Sequence, residues 1–166
     1  MAEYHLRYVV DTSLLIDLYI GKILDEFFQL PYSFIAPDVI IAELHEPDGQ
    51  TLFKLGLQQS ELTGSCILDV LHLRAQYQRP SVNDIFALIT AREFNATLLT
   101  NDKSLRKAAS HQGVPIHGTL WVLDELVRHT IIVPVRAAIA LKLMCEKGSR
   151  LPQDECHKRF RLWYNE

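Results

Sequence analysis

Four carboxylates, Asp11, Glu43, Asp84 and Asp102, stand at positions from which a metal-dependent reaction can be built. Asp11 closes the apolar run Tyr8-Val9-Val10, and Asp102 follows Thr97-Leu98-Leu99-Thr100 after one intervening residue. Asp84 falls in the first turn of the segment opened by Ser81, and Glu43 follows Val39-Ile40-Ile41-Ala42. In parallel α/β sheets, ligands gather beyond the carboxyl ends of the strands. Asp11 and Asp102 should therefore face one crevice, with Glu43 and Asp84 at its border. Converging carboxylates repel one another; hard divalent cations such as Mg²⁺ or Mn²⁺ reverse that balance through oxygen ligands and retained waters. One or two such ions can activate water and stabilise both oxygens of an in-line phosphodiester displacement, so no nucleophilic side chain is required.

Each acid also has a purely structural reading. Asp11 and Asp102 precede helices and can serve as N-caps. Asp84 completes an S-x-x-D capping box with Ser81, and Glu43 can sit on a solvated helix face. Taken singly, the structural role is favoured; taken as an ordered set, the site is. Asp17 and Glu46 are spare acids nearby and rank lower, because Asp17 falls inside a helix and Glu46 at the end of one.

The elements that must position these groups alternate. Strands are expected at Tyr8–Val10, Ser33–Ala36, Thr97–Thr100 and, less clearly, Glu61–Thr63 and Val114–Ile116, the last on an edge because of Pro115. Helices are expected from Thr12 to Leu18, Lys22 to Phe28, Asp38 to His45 and Thr51 to Gln58. Further helices are expected at Ile67–Gln78, Ser81–Phe94, Lys103–His111, Thr119–Val127, Val135–Lys147 and Gln153–Tyr164. Strands alternating with helices imply an α/β fold with a mainly parallel sheet. No repeat, low-complexity tract or linker divides the chain, so one domain with a helical C-terminal third is expected.

Composition removes several classes. At 48% hydrophobic and 22% charged residues, the 166-residue chain reads as globular. The formal charge of −3 excludes a polyanion binder held by bulk charge alone. Without the four acids the remainder is slightly basic, so the acidity is partly that of the proposed site. The most apolar late stretch, Ile131 to Cys145, is broken by Pro134, Arg136 and Lys142, so no membrane span is expected. Met1–His5 lead directly into a strand-like run, unlike a secretory signal. Three cysteines without a C-x-x-C pair suit a reducing compartment, and the cytoplasm is expected.

Four segments together resemble the PIN-domain family, nucleases that include the VapC-like toxins of toxin–antitoxin pairs. They are Val9-Val10-Asp11-Thr12-Ser13, Ile40-Ile41-Ala42-Glu43-Leu44, Asn83-Asp84-Ile85-Phe86-Ala87-Leu88, and Leu98-Leu99-Thr100-Asn101-Asp102-Lys103-Ser104-Leu105-Arg106. Their order matches the family over residues 7–125, leaving 126–166 as a helical C-terminal extension. The resemblance implies a three-layer α/β/α sandwich with a parallel central sheet. It also implies Mg²⁺- or Mn²⁺-dependent cleavage of single-stranded RNA, dimerisation, and an antitoxin protein as partner in the toxin branch. It places the metal-binding and catalytic roles on Asp11, Glu43, Asp84 and Asp102. Ser13 and Thr100 become candidate supporting hydroxyls; their alternative role is to satisfy backbone groups at a strand–helix turn.

The expected reaction is hydrolysis by water, leaving a 5′-phosphate and a 3′-hydroxyl. Lys103 and Arg106, at helical spacing beside Asp102, are the candidate contacts to the RNA backbone. Lys107, Arg74 and Arg79 are further candidates, with a solvated helix face the favoured reading for Lys107 and Arg79. Trp121, Trp163 and Tyr164 have rings that can stack on bases, although burial is the commoner fate. The basic excess from Arg136 onward can serve RNA, an acidic partner or simple solvation. His45-Glu46 lacks the second histidine of a zinc protease motif. Among rivals, a catalytically weak PIN scaffold binding RNA or protein would be marked by a missing acid, and none is missing. A receiver-type phosphoacceptor lacks its acidic pair, and a D-x-D phosphatase lacks its second acid because position 13 is Ser.

Overall fold

The computed structural model describes residues 6–165; Met1–His5 and Glu166 lie outside the described residues. Strand β1 (Arg7–Val10) is followed by α1 (Thr12–Ile20) and the short α2 (Leu24–Phe27). Then come β2 (Ser33–Pro37), α3 (Asp38–Glu43), α4 (Gly49–Leu55) and β3 (Gln58–Ser60). Two longer helices, α5 (Gly64–Gln76) and α6 (Val82–Glu93), lead to β4 (Thr97–Leu99), α7 (Lys103–His111) and β5 (Ile116–His117). The chain ends in α8 (Thr119–Arg128), α9 (Pro134–Glu146) and α10 (Gln153–Tyr164).

Among the described residues five strands form one parallel sheet, in the order β3-β2-β1-β4-β5. Tyr8 pairs with Phe34 on one side and Thr97 on the other, which puts β1 at the centre of the sheet. Strands covered on both faces need continuous apolar runs. Val9, Val10, Leu98 and Leu99 meet that need and are wholly buried. Helix α6 packs on β1, β2 and β4 through Ile85, Leu88 and Ile89. Its start is held by the anticipated capping box, with Ser81 Oγ accepting from the Asp84 amide and Asp84 Oδ2 accepting from the Ser81 amide. Such a box satisfies two otherwise orphaned donors.

The chain builds β1, β2 and β3 outward in one direction, then crosses back to lay β4 and β5 on the other side of β1. The order therefore reverses between β1 and β4, and the crevice of such a sheet opens beyond the carboxyl ends of the two strands at that point. Asp11 and Thr100 are the first residues past those ends.

Two strand expectations require correction. The segment Glu61–Thr63 is not a strand; β3 lies earlier, at Gln58–Ser60. Gly56, with φ of 119°, stops α4 in a left-handed conformation, so the chain enters the sheet at once. Its polar residues pair with β2 because the edge of β2 is available. The outer strand near Val114 is also displaced, to Ile116–His117, because the Val114 amide is still bound to the Ala109 carbonyl at the end of α7. Pro115 contributes only its carbonyl, which accepts from the Leu98 amide at 2.8 Å. Helix α4 starts at Gly49, ahead of the expected Thr51, because Asp48 caps it.

The C-terminal helices close over α1. A Cβ at Gly21 would stand 2.5 Å from the Met144 side chain, so glycine there lets α9 approach the end of α1. Arg159 of α10 grips Asp124 of α8 through Nε and Nη2, tying the last helix to the body. Among the described residues, no helix is long and apolar enough to cross a membrane.

Candidate functional site

Asp11 occupies the N-cap position of α1 yet makes no side-chain cap bond. Its side chain instead turns toward β4, where Oδ2 accepts from Thr100 Oγ1 at 2.8 Å and from Ser13 Oγ at 2.9 Å. Asp11 is 2% exposed, and its other oxygen, Oδ1, is buried with no hydrogen-bond partner among the described residues. Burial raises its pKa to about 6, the Asp84 carboxylate pushes the same way, and the two hydroxyls oppose them.

Thr100 also joins Asp11 to Asp102, since its Oγ1 accepts from the Asp102 amide at 3.1 Å. Asp102 caps α7, with Oδ1 accepting from the Leu105 amide at 2.8 Å and from Ser104 Oγ. Glu43 is exposed at the end of α3. Its Oε2 accepts from Asn83 Nδ2 at 3.1 Å and, at 3.4 Å, from Thr12 Oγ1. Those donors neighbour Asp84 and Asp11 in sequence, so one oxygen links α3 to the starts of α6 and α1. Burial raises the pKa of Asp84, Ser81 opposes it, and the carboxylates of Asp102 and Glu43 raise it further.

The four acids thus share one electrostatic neighbourhood, and the capping roles of Asp84 and Asp102 are real. The two roles coexist because each side chain uses one oxygen. Asp11 Oδ2, Glu43 Oε2, Asp84 Oδ2 and Asp102 Oδ1 take the protein donors, and the second oxygen of each has none among the described residues. Oxygen-only donors with a buried, unpaired Asp11 Oδ1 fit a hard divalent cation. Among the described residues, no group of three His, Cys, Asp or Glu side chains is placed to hold one ion. Mg²⁺ commonly keeps several waters and takes only one or two carboxylates directly, which accommodates this spacing.

Asp17 is a different case. It is 7% exposed, and its oxygens accept from Asn101 Nδ2, Thr119 Oγ1 and Ser149 Oγ at 2.6, 3.1 and 2.6 Å. Satisfied in this way, it fastens α1 to the end of β4, the start of α8 and the α9–α10 turn. Asn101 and Thr119 escaped the sequence reading because their partner is distant in the chain. The neighbouring T-N-D triplet was the available signal.

Of the expected RNA contacts, Lys103 is exposed, while half-buried Arg106 donates Nη1 to the Thr100 carbonyl at 2.9 Å. Arg74 is committed elsewhere, to the carbonyls of Tyr77 and Gln78. A cleft of about 820 Å³ begins at Asp102 and runs past Lys103 and Arg106 toward Trp121 and Arg150.

A parallel α/β sheet whose strand order reverses beside a set of half-satisfied carboxylates defines an acid-bearing α/β domain. A family model described as a PIN domain matches residues 7–165, and the chain belongs to the PIN-domain family. PIN domains are generally nucleases.

Solved structures similar in fold include PAE2754 from Pyrobaculum aerophilum, at 16% identity and TM-score 0.55, covering 74% of this chain and 90% of that one. A PilT N-terminus domain protein, SSO1118 from the archaeon Sulfolobus solfataricus P2, has 15% identity and TM-score 0.52, covering 74% and 94%. VapBC2 from Rickettsia felis, solved bound to a DNA fragment from its promoter, has 18% identity and TM-score 0.51, covering 68% and 98%. No curated protein matches the chain.

Proposed function

We propose that this protein is a Mg²⁺- or Mn²⁺-dependent endoribonuclease that hydrolyses phosphodiester bonds of single-stranded RNA. The observation that carries the reading is the division of labour within each acid. One oxygen is fixed by protein donors and, among the described residues, the other is left without one, most clearly at buried Asp11 Oδ1. A divalent cation, when bound, supplies the Lewis acidity that phosphodiester hydrolysis requires. The chain's own part is positioning. Thr100 and Ser13 orient Asp11, Ser104 and the α7 amide orient Asp102, Ser81 orients Asp84, and Asn83 orients Glu43. Lys103 and Arg106 offer positive charge beside Asp102 for the RNA backbone.

We further propose that it is the toxin half of a toxin–antitoxin pair with an antitoxin protein as partner, a reading that the fold shared with VapBC2 supports, and that it acts as a cytoplasmic homodimer. A second reading, a PIN scaffold that binds RNA or protein without cleaving it, draws on the absence of a three-ligand cluster among the described residues. Cleavage of mixed single-stranded RNAs with Mn²⁺ or Mg²⁺ separates the two. Wild type is expected to cleave, and Asp11→Asn and Asp84→Asn to lose activity. Equal rates in all three proteins would sink the assignment, and absence of metal binding by wild type would favour the scaffold.

A further inference from the structure

The cleft beside Asp102 holds groups that metal binding does not require. Arg79, Lys103, Arg106 and Arg150 all line it, and none has an ion-pair partner among the described residues. Arg159 also borders it, but its guanidinium is already bound to Asp124 and Glu155. Glu155 is in turn neutralised by Lys158 and Arg159, leaving Asp102 as the unpaired acid on the wall. In the same cleft, the His117 ring lies flat on the Trp121 indole, with centroids 4.3 Å apart and planes 3° from parallel. Burial and the nearby Arg106 lower the pKa of His117 against the opposing charge of Glu125, which favours the neutral ring.

Four cations without an ion-pair partner among the described residues repel one another, and the half-buried His117–Trp121 pair adds a partly exposed π-surface to the wall. A ligand that answers both has a phosphate and a flat π-system. Carboxylate peptides answer the charge alone, whereas nucleotides answer both terms. At about 820 Å³ the cleft lies in the range of roughly 300–1,000 Å³ that houses small organic ligands, the size class of a nucleotide. It abuts Asp102, so its occupant would adjoin the carboxylate site. Arg150 comes from the turn between α9 and α10, which makes the C-terminal helices part of the wall.

We propose that this cleft is the subsite for a nucleotide flanking the scissile phosphate, with its base against the His117–Trp121 pair and its phosphate on Arg106 and Arg150. Its position relative to cleavage rests on the nuclease reading; its ability to bind a nucleotide does not. The C-terminal helices thereby take part in selecting the sequence context of the RNA.

The chain has two tryptophans, and Trp163 is 2% exposed, so quenching by ligand reports on Trp121. Asp11→Asn protein in EDTA is titrated with short single-stranded RNA and with an abasic sugar–phosphate strand of equal length. RNA is expected to quench the fluorescence and the abasic strand to bind at least about tenfold more weakly, as a lost stacking contact implies. Trp121→Phe, which keeps an aromatic ring beside Tyr8 and Tyr32, is expected to abolish the quench while RNA still binds. His117→Ala and Arg150→Glu are expected to weaken binding about tenfold. Arg150 is exposed, so its variant tests the subsite without disturbing the core.

Equal binding of abasic strand and RNA, or unchanged fluorescence on saturation, overturns the proposal. So does an acidic peptide that displaces the RNA and binds more tightly. If wild type fails to cleave with Mn²⁺ but the quench persists, the nuclease reading falls and the subsite stands. If wild type cleaves and Arg150→Glu and His117→Ala keep its KM and base preference, the subsite falls and the nuclease reading stands.

Discussion

At position 11 an acid sits almost entirely out of water, held by two hydroxyls through one oxygen and, among the described residues, by nothing through the other. Burying an ionised group without full compensation costs stability. Asp11→Asn should therefore stabilise the metal-free protein at neutral pH by about 1–3 kcal/mol, read from urea midpoints in EDTA, while abolishing cleavage. Destabilisation of that variant would show that the fold needs the charge. Saturating Mn²⁺ should stabilise wild type by about 2.7 kcal/mol at a hundredfold excess over Kd and leave Asp11→Asn unmoved. The residue types and spacings of all four acids were legible in the sequence, because strand ends and helix starts are local signals. Which oxygen of each is occupied was not, since the donors Thr100, Asn83 and Thr12 reach their acids across the fold.

Among elements, the junction of β5 and α8 is tightly constrained at Gly118. A Cβ at Gly118 would stand 2.7 Å from Asn101 Oδ1 and 3.2 Å from Arg106 Nη1. Gly118→Ala should displace both groups, loosening the bonds of Asn101 to Asp17 and Thr119. The expected outcome is a loss of about 1–3 kcal/mol with weaker RNA binding, measured by thermal melts and titration. At the other end of α8, Glu125 accepts from Arg128 at 2.9 and 2.7 Å and from the Tyr32 hydroxyl. The Arg128 bonds hold its pKa below the ordinary value of 4.5, burial opposes them, and Tyr32 adds to the lowering.

A carboxylate depressed in the fold gives stability above its unfolded pKa that disappears as pH falls through the folded one. Glu125→Gln should accordingly lose stability at pH 7 and flatten the decline below about pH 4.5, checked by melting across pH. The Tyr32 hydroxyl, pushed up to about 12 first by burial and then by Glu125, stays a donor throughout that range. Helix limits were legible where caps mark them, as at Ser81. Strand β3 was not, because Gln58-Gln59-Ser60 carries no apolar pattern and is a strand only by pairing with β2.

For the whole molecule, the order β3-β2-β1-β4-β5 brings residues 89 apart in sequence, Asp11 and Thr100, into hydrogen-bond contact at the reversal point. It also sets the C-terminal helices against the cleft that starts at Asp102. Arg159→Ala, which releases α10 from Asp124, should lower RNA affinity more than cleavage of saturating RNA, seen as raised KM with kcat nearly constant. The sequence by itself determined the alternating elements, the four acids and their resemblance to PIN domains. Apolar runs, caps and breakers act over a few residues, so they can be read without a partner. Only the tertiary structure decided that Asp17 is a satisfied fastening and Asp11 an unsatisfied acid, and that Trp121 faces a cationic cleft. Those properties depend on which distant donors and charges the strand order brings alongside, and no local pattern encodes that.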